Sequence, residues 1–263
     1  MSHLIPPSRA AATTHGPVRL PLRYADTTVV QAFYWLDAER ADAALRATGT
    51  IAARFDGRAL AGLALYDYGA STIGPYRECA VAVVGVPRGG PAPRWSWFDQ
   101  LRRSDRRASG FTVLQLPVTC EAARSAGVEL WGYPKFVTAI EVSLAGGRVR
   151  ATVADPDGGP PLLSVEGVLG GGLRLPLLDY VSHSRRGDDM LRTMVSVRGR
   201  GRTGRGKRMV VQIGDTGRPF TDTLAALGLG ERRPFLWQAA SGVRTVLHEG
   251  VRLAPHHLHG ERR

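Results

Sequence analysis

Lysine is almost missing from this sequence. Lysine and arginine together number 35 among its 263 residues, yet lysine occurs only at positions 135 and 207. Arginine serves wherever a surface cation is needed, but it is not deprotonated in proteins and cannot act as a neutral amine. Each lysine of such a chain is therefore a candidate for amine chemistry. Lys135 is the better candidate, because aromatic residues flank it while Lys207 lies in a Gly- and Arg-rich stretch.

Cysteine and long apolar runs are also scarce. Only Cys79 and Cys120 are present, which predicts reduced thiols rather than a disulfide framework. No stretch reaches the roughly 18 apolar residues of a membrane span, and residues 1–22 lack the apolar core of a secretory signal. These features predict a cytoplasmic protein that does not span a membrane.

Positive charge is in excess. The formal net charge of +12 suggests a nucleic-acid partner, because basic surfaces attract phosphate. The arginines are nevertheless scattered along the chain, and Ala and Gly are abundant, which indicates a compositional preference for arginine. Nucleic-acid binding is therefore kept only as the third functional alternative.

Short β-like segments dominate the chain. Strands are predicted at 29–36, 51–55, 59–68, 76–86, 111–118, 136–144, 148–154, 162–169, 174–181, 192–198, 207–213 and 243–253, and helices at 38–47, 120–126 and 221–228. Many strands without βαβ alternation predict one β-rich, barrel-like α+β domain over 21–255. Residues 1–20 are interpreted as a loose N-terminal arm and 256–263 as a flexible tail. Because domains of this kind often pair, we expect a homo-oligomer.

Two further motifs favour ordinary explanations. Residues 201–207 match Gly-x4-Gly-Lys, but Arg208 stands where a phosphate loop has Ser or Thr, and the next segment is predicted as strand rather than helix. The tail histidines His256, His257 and His259 have no carboxylate or cysteine nearby to complete a metal site. We therefore predict no phosphate loop and no metal site.

Two segments resemble a known family. Residues 127–135, GVELWGYPK, resemble the Glu-x-x-x-Tyr-Pro-Lys signature of the acetoacetate decarboxylase superfamily, and residues 74–79, GPYREC, resemble its Gly-x-Tyr-x-Glu segment. The order and spacing of the two segments are also similar to the family's, and the resemblance extends loosely over about residues 24–250. It implies a barrel- or cone-like α+β fold.

The resemblance also implies a reaction. By position, Lys135 would form a Schiff base with a small carbonyl substrate such as a keto acid, and Glu78 would be the acid/base, with no cofactor or metal. Nearby aromatic residues would form the pocket walls: Tyr76, Trp131, Tyr133 and Phe136. Because the reacting amine must be neutral, the pKa of Lys135 must fall by about 3 units, or about 4 kcal/mol. We therefore expect Lys135 to be buried within about 6 Å of the Glu78 carboxylate.

The sequence departs from the family's decarboxylases at two points. Phe136 occupies the position of a second lysine, and Asp26-Thr27-Thr28 replaces the expected carboxylate-binding arginine, for which Arg23 and Arg77 are possible substitutes. These departures favour an aldol and dehydration reaction over acetoacetate decarboxylation. The alternative is a catalytically silent binding protein. In that case Lys135 would be a turn lysine with its ammonium in water and Glu78 would pair with an arginine; Glu129 is interpreted as structural.

Overall fold

A computed structural model describes residues 8–206 and 208–253. The strands are β1 (Arg9–Ala11), β2 (Val18–Leu20), β3 (Leu22–Asp37), β4 (Thr50–Ala52), β5 (Arg58–Ser71), β6 (Tyr76–Pro87), β7 (Gly110–Gln115), β8 (Ile140–Ala145), β9 (Arg148–Val153), β10 (Leu163–Val168), β11 (Leu173–Pro176), β12 (Tyr180–Arg186), β13 (Asp189–Arg198), β14 (Arg200–Gly204), β15 (Met209–Ile213), β16 (Leu236–Leu247) and β17 (Val251–Arg252). The helices are α1 (Ala38–Leu45), α2 (Ser96–Leu101), α3 (Glu121–Trp131) and α4 (Pro219–Leu227), with a 3-10 turn at Ser104–Arg106.

Seven strands close into a barrel. Their order is β16-β3-β5-β6-β7-β12-β13, and pairing of β13 with β16 completes the ring. Neighbours are antiparallel except for the parallel pair β7 and β12. The predicted barrel-like α+β fold is therefore confirmed.

A second sheet covers one side of the barrel. It has the order β15-β10-β9-β8, and its buried side chains share the largest hydrophobic core with α1, α4 and the outward-facing residues of β3, β5 and β6. On β5 and β6 the outward positions include branched aliphatic residues such as Leu65, Val81 and Val83. Side chains alternate between the two faces of a strand, so the residues that alternate with these three point into the barrel.

The N-terminal segment differs from the prediction. Residues 9–20 form a β1–β2 hairpin whose Ala11, Val18 and Leu20 are buried in a second core with α3. The backbone N–H and hydroxyl of Thr14 donate to the Glu129 carboxylate. The interpretation of 1–20 as a loose arm is therefore wrong for residues 8–20, because strands of three residues are too short to show a periodic pattern. The predicted tail, 256–263, lies outside the described residues.

The helix boundaries also differ from the prediction. The helix predicted at 120–126 runs to Trp131 and ends at Gly132, which has the left-handed φ of 64° typical of a C-cap. Gly127 is therefore an interior residue of α3 rather than its end. The segment after the Gly-x4-Gly-Lys motif, Met209–Ile213, is a strand as predicted, and Lys207 itself lies outside the described residues. Within the part of the chain that the structure describes, no helix is long and apolar enough to cross a membrane.

Candidate active site

Lys135 is placed by the end of α3. After the cap at Gly132 the chain is irregular, and the backbone N–H of Lys135 donates to the Tyr133 carbonyl in a tight turn. The lysine side chain then crosses α3 at Gly127, where an added Cβ would come within 2.5 Å of Lys135 Cδ. A glycine inside this helix therefore provides the room that the lysine stem occupies.

Glu78 meets Lys135 inside the barrel. It lies on β6 opposite Tyr66, and its Oε2 is 2.7 Å from Lys135 Nζ, with side-chain exposures of 10% and 6%. The Tyr68 hydroxyl donates to Glu78 Oε1 at 3.2 Å. The expectation that the lysine and glutamate are buried side by side is confirmed. Neither the water-exposed lysine nor the Glu78–arginine pair is observed; Arg77 contacts Asp67 instead.

Tyrosines surround this ion pair. The Tyr24 and Tyr76 hydroxyls lie 3.2 Å apart, and the Tyr133 hydroxyl lies 2.7 Å from Ser182 Oγ. Burial raises the pKa of Tyr133 to about 12, and burial together with the charge of Glu78 raises the pKa of Tyr68. These phenols therefore stay protonated at neutral pH and act as hydrogen-bond donors or apolar walls.

A cavity extends from the ion pair through the barrel. It holds about 820 Å³ of unfilled space, including its mouth. One end is polar, with Lys135, Glu78 and Tyr68, and the other end is apolar, with Phe33 and Phe111. The remaining lining residues are Tyr24, Gln31, Gly62, Leu63, Ala64, Tyr66, Ala80, Ala82, Val113, Leu116, Tyr133, Tyr180, Ser182, Val195, Thr245 and Leu247.

Two of the four predicted pocket walls lie at the site. Tyr133 lines the cavity, and the Tyr76 ring centroid is 5.7 Å from Lys135 Nζ. Trp131 is buried in the core, with its indole N–H donating to the His248 carbonyl. Phe136 packs against Phe220 of α4.

The expectation that Trp131 and Phe136 line the pocket is therefore wrong. Phe136 instead packs against the main core and is not among the residues that line the cavity. Its side chain therefore does not shape the space in which a substrate would lie.

Sequence reasoning missed most of the cavity lining. The missed residues include Tyr24, Tyr66, Tyr68 and Tyr180, so that five of the seven tyrosines line the cavity. A signal was present in β5 and β6: Gly62, Ala64 and Tyr66 alternate with leucines, and Ala80 and Ala82 alternate with valines. Small residues at period two inside a predicted barrel indicate an unfilled interior.

The site has the groups that amine chemistry on a carbonyl requires. Lys135 Nζ is a nucleophile once it has lost a proton, and Glu78 is positioned to accept that proton through the 2.7 Å contact. Residues 8–206 and 208–253 contain no group of three or more His, Cys, Asp or Glu side chains suited to a metal ion. The predicted substitutes for a carboxylate-binding arginine, Arg23 and Arg77, do not line the cavity.

Fold and site together define a class of protein: a closed barrel with a buried lysine–glutamate pair in an aromatic cavity. The sequence model of the acetoacetate decarboxylase family matches residues 5–200. Because this match covers most of the chain, the protein belongs to that family. No curated protein was found to match the sequence.

Solved structures share the fold at low identity. An acetoacetate decarboxylase from Legionella pneumophila is 13% identical with a TM-score of 0.63, covering 95% of this chain and 93% of its own. The enduracididine biosynthesis enzyme MppR, solved with pyruvate, is 14% identical with a TM-score of 0.61, covering 89% and 90%. An acetoacetate decarboxylase-like enzyme from Sphingomonas wittichii RW1 is 15% identical with a TM-score of 0.60, covering 89% and 93%.

Proposed function

We propose that this protein is a cofactor-free, Schiff-base-forming lyase that acts on a keto acid or related carbonyl compound. The observation that carries the proposal is the Lys135–Glu78 contact, buried at the polar end of the cavity. Burying a lysine–glutamate pair costs desolvation free energy, and apolar residues at the same positions would often stabilise the fold equally well. The pair is therefore better explained by a catalytic role than by stability. Family membership supports the same class of chemistry.

The steps assign one role to each residue. Glu78 accepts a proton from the Lys135 ammonium, and the neutral amine attacks the carbonyl carbon. Glu78 returns the proton to the carbinolamine oxygen, which leaves as water and gives the iminium. The iminium is an electron sink, so Glu78 can remove a proton from the adjacent carbon to form an enamine. The enamine carbon adds to a second carbonyl, whose oxygen takes the proton held by Glu78. Glu78 then removes a further proton from the carbon next to the iminium and gives it to the hydroxyl, which leaves as water. A further water hydrolyses the iminium, which releases the unsaturated product and frees Lys135.

This aldol and dehydration sequence is proposed in preference to acetoacetate decarboxylation. Among the lining residues that the structure describes, Lys135 is the only lysine or arginine, so no arginine fixes a scissile carboxylate. One relative in fold, MppR, has been solved with a condensation product of pyruvate and imidazole 4-carboxaldehyde. A cytoplasmic location and a homo-oligomeric assembly stay predictions from the sequence, and no structural observation favours nucleic-acid binding.

Reductive trapping tests the proposal. The protein is incubated with pyruvate and cyanoborohydride, which converts an iminium to a stable secondary amine, and the modified residue is located by mass spectrometry. We expect one adduct, at Lys135. Lys135→Arg should abolish it, because arginine keeps the charge but forms no imine.

The sequence offers a matched control, since its only other lysine is Lys207. Lys207→Arg should label like the unmodified protein. Labelling at Lys207 or at the N-terminal amine alone, or no labelling with any of a panel of keto acids and ketones, would favour the catalytically silent, ligand-binding alternative.

A further inference from the structure

No charged group in the described cavity lining is free to balance the charge of a substrate. The lining, as far as the structure describes it, contains one cation and one anion, Lys135 and Glu78, which neutralise each other. The iminium formed at Lys135 keeps this single positive charge, which Glu78 already balances. A substrate carboxylate would then be a second buried anion without a cation of its own, and burying an unpaired carboxylate is costly.

The hydroxyls near the reacting amine are hydrogen-bonded to one another or to Glu78. Tyr68 donates to Glu78, Tyr133 pairs with Ser182, and Tyr24 pairs with Tyr76. These groups can offer a carboxylate neutral hydrogen bonds, but no charge that would balance it.

The shape of the cavity complements this electrostatic argument. Its floor consists of two cross-strand pairs of small residues, Ala64 with Ala80 and Gly62 with Ala82. From Glu78 to Ala82 the floor spans four residues of β6, roughly 13 Å at about 3.3 Å per residue. The missing side chains leave a slot along the strands, which branched aliphatic residues at these positions would fill.

Aromatic rings wall the far end of this slot. Phe33 and Phe111 both lie next to Gly62, since a Cβ added there would be 3.5 Å from Phe111 and 3.8 Å from Phe33. These two residues are partly exposed, whereas Glu78, Tyr68 and Tyr133 at the reacting end are buried. The reacting end is therefore the deep end, and a substrate's apolar body would extend past the rings towards the mouth.

We infer that the carbonyl substrate bound at Lys135 is uncharged and bears an apolar, aryl-containing body. The body lies in the slot over Gly62, Ala64, Ala80 and Ala82. The inference rests on the proposed imine chemistry. It narrows the proposed substrates, which were keto acids and related carbonyl compounds, to neutral ketones or aldehydes. An aryl group suits walls of this kind because aromatic pairs add stabilisation beyond the area that they bury.

A pair of matched ketones tests the inference. 4-Phenylbutan-2-one and 2-oxo-4-phenylbutanoate share their aryl body and differ only by methyl against carboxylate beside the carbonyl. Cyanoborohydride trapping is followed over a concentration series, and the half-saturating concentration is used because the two carbonyls differ in intrinsic reactivity. We expect the methyl ketone to half-saturate Lys135 at a concentration at least about tenfold lower, given the cost of an unpaired carboxylate.

The outcomes separate the inference from the proposed function. A smaller preference, or a preference for the oxo acid, overturns the inference while the imine chemistry stands. If neither compound labels Lys135 and small keto acids also fail, the proposed function is wrong and the inference falls with it. If neither compound labels Lys135 but pyruvate does, only the inference is overturned.

A substitution that fills the slot provides a second test of where the aryl body lies. Ala82→Leu should raise the half-saturating concentration of 4-phenylbutan-2-one by about tenfold, because the leucine side chain would occupy the space that the aryl body needs. Acetone, which has no body to place in the slot, should be affected much less. Ala70→Leu makes the same change at an exposed position of β5 and should affect neither ketone. An equal effect of Ala82→Leu on both ketones contradicts the slot assignment, and Ala82→Val serves if the leucine variant does not fold.

Discussion

At the scale of single residues, the proposed mechanism uses Glu78 as the proton carrier at every step. Glutamine at this position keeps the shape and a hydrogen-bond acceptor but cannot take up a proton. We therefore expect Glu78→Gln to lower the rate of imine trapping at Lys135 by roughly 10²–10⁴-fold, the usual contribution of a general acid/base. The measurement is the time course of adduct formation by mass spectrometry.

A second glutamate provides the control for this prediction. Glu129 accepts hydrogen bonds from Thr14 on the outside of α3 and has no place in the chemistry. Glu129→Gln should therefore trap at nearly the unmodified rate. Equal rates for Glu78→Gln and the unmodified protein would remove Glu78 from the mechanism.

Gly127 makes a separate prediction about positioning. Alanine is about 1 kcal/mol more favourable than glycine inside a helix, so propensity alone predicts that Gly127→Ala stabilises α3. The added methyl, however, would overlap the Lys135 stem, and we expect trapping to fall at least about tenfold in a protein that remains folded. Both the melting temperature and the trapping rate should be measured.

The matched control for this change is Gly170→Ala. Its added Cβ would have no neighbour closer than 3.8 Å, so trapping should not change. If Gly127→Ala trapped as fast as the unmodified protein, the lysine stem would have to reach Glu78 by another route.

At the scale of secondary-structure elements, the sequence predicted the type of most elements but few of their partners. The strands were recognisable from β-branched and aromatic runs, and the Asp56-Gly57 turn is present, with both residues at positive φ. Yet β4 pairs with β6 rather than with β5, its neighbour along the chain, because pairing depends on distant segments. Gly127 was interpreted as a helix end because a glycine required by packing cannot be distinguished from a C-cap in one sequence.

The site was predictable in part for the same reason. Two short motifs were enough to identify Lys135 and Glu78 and to expect them in one cavity. The walls were not predictable from proximity along the chain, because Phe136 lies next to Lys135 in sequence but packs against the main core. Residues such as Tyr66 and Tyr180 reach the cavity only through barrel closure.

Strand β12 contains a buried histidine that makes the free energy of unfolding depend on pH. His183, opposite Arg192 of β13, is buried, and burial and the nearby Arg192 charge lower its pKa to about 4 from 6.5. Between these values the unfolded chain binds a proton that the folded protein does not, so stability falls as the pH drops from 6.5 to 4 and then levels off. The expected loss is about 3 kcal/mol.

Urea unfolding across this pH range tests the assignment. His183→Gln removes the titrating group, so its stability should depend less steeply on pH between 6.5 and 4 than that of the unmodified protein. The other histidines, including His15 and His248, are common to both proteins and cancel in the comparison. Parallel pH profiles would show that His183 is not the group responsible.

At the scale of the whole molecule, the barrel separates two tasks between the two faces of the same strands. The outward faces of β5 and β6 carry the aliphatic residues that join the second sheet in the main core. Where the inward faces line the cavity, they carry glycine, alanine, tyrosine and the one glutamate. The glycine and alanine positions leave this part of the barrel unfilled, while the main core packs against the outside of the same strands.

This hollow, neutral interior predicts poor turnover of acetoacetate. Decarboxylation needs the scissile bond held perpendicular to the iminium plane, and misplacement of a reacting group is costly. No arginine is found among the described residues that line the cavity, so none can hold the carboxylate. Arg77 donates to Asp67 and to the Ile140 carbonyl instead. We therefore expect CO₂ release from acetoacetate to stay well below about 10 s⁻¹, a typical enzyme rate.

The assay should subtract the spontaneous decay of acetoacetate, measured with Lys135→Arg at the same concentration. The same protein preparation should label at Lys135 with a neutral ketone, which shows that the amine is active. Turnover of acetoacetate near or above 10 s⁻¹ would mean that desolvation of the carboxylate in this cavity itself promotes loss of CO₂. In that case the absence of an arginine would be a feature of a decarboxylase rather than evidence for aldol chemistry.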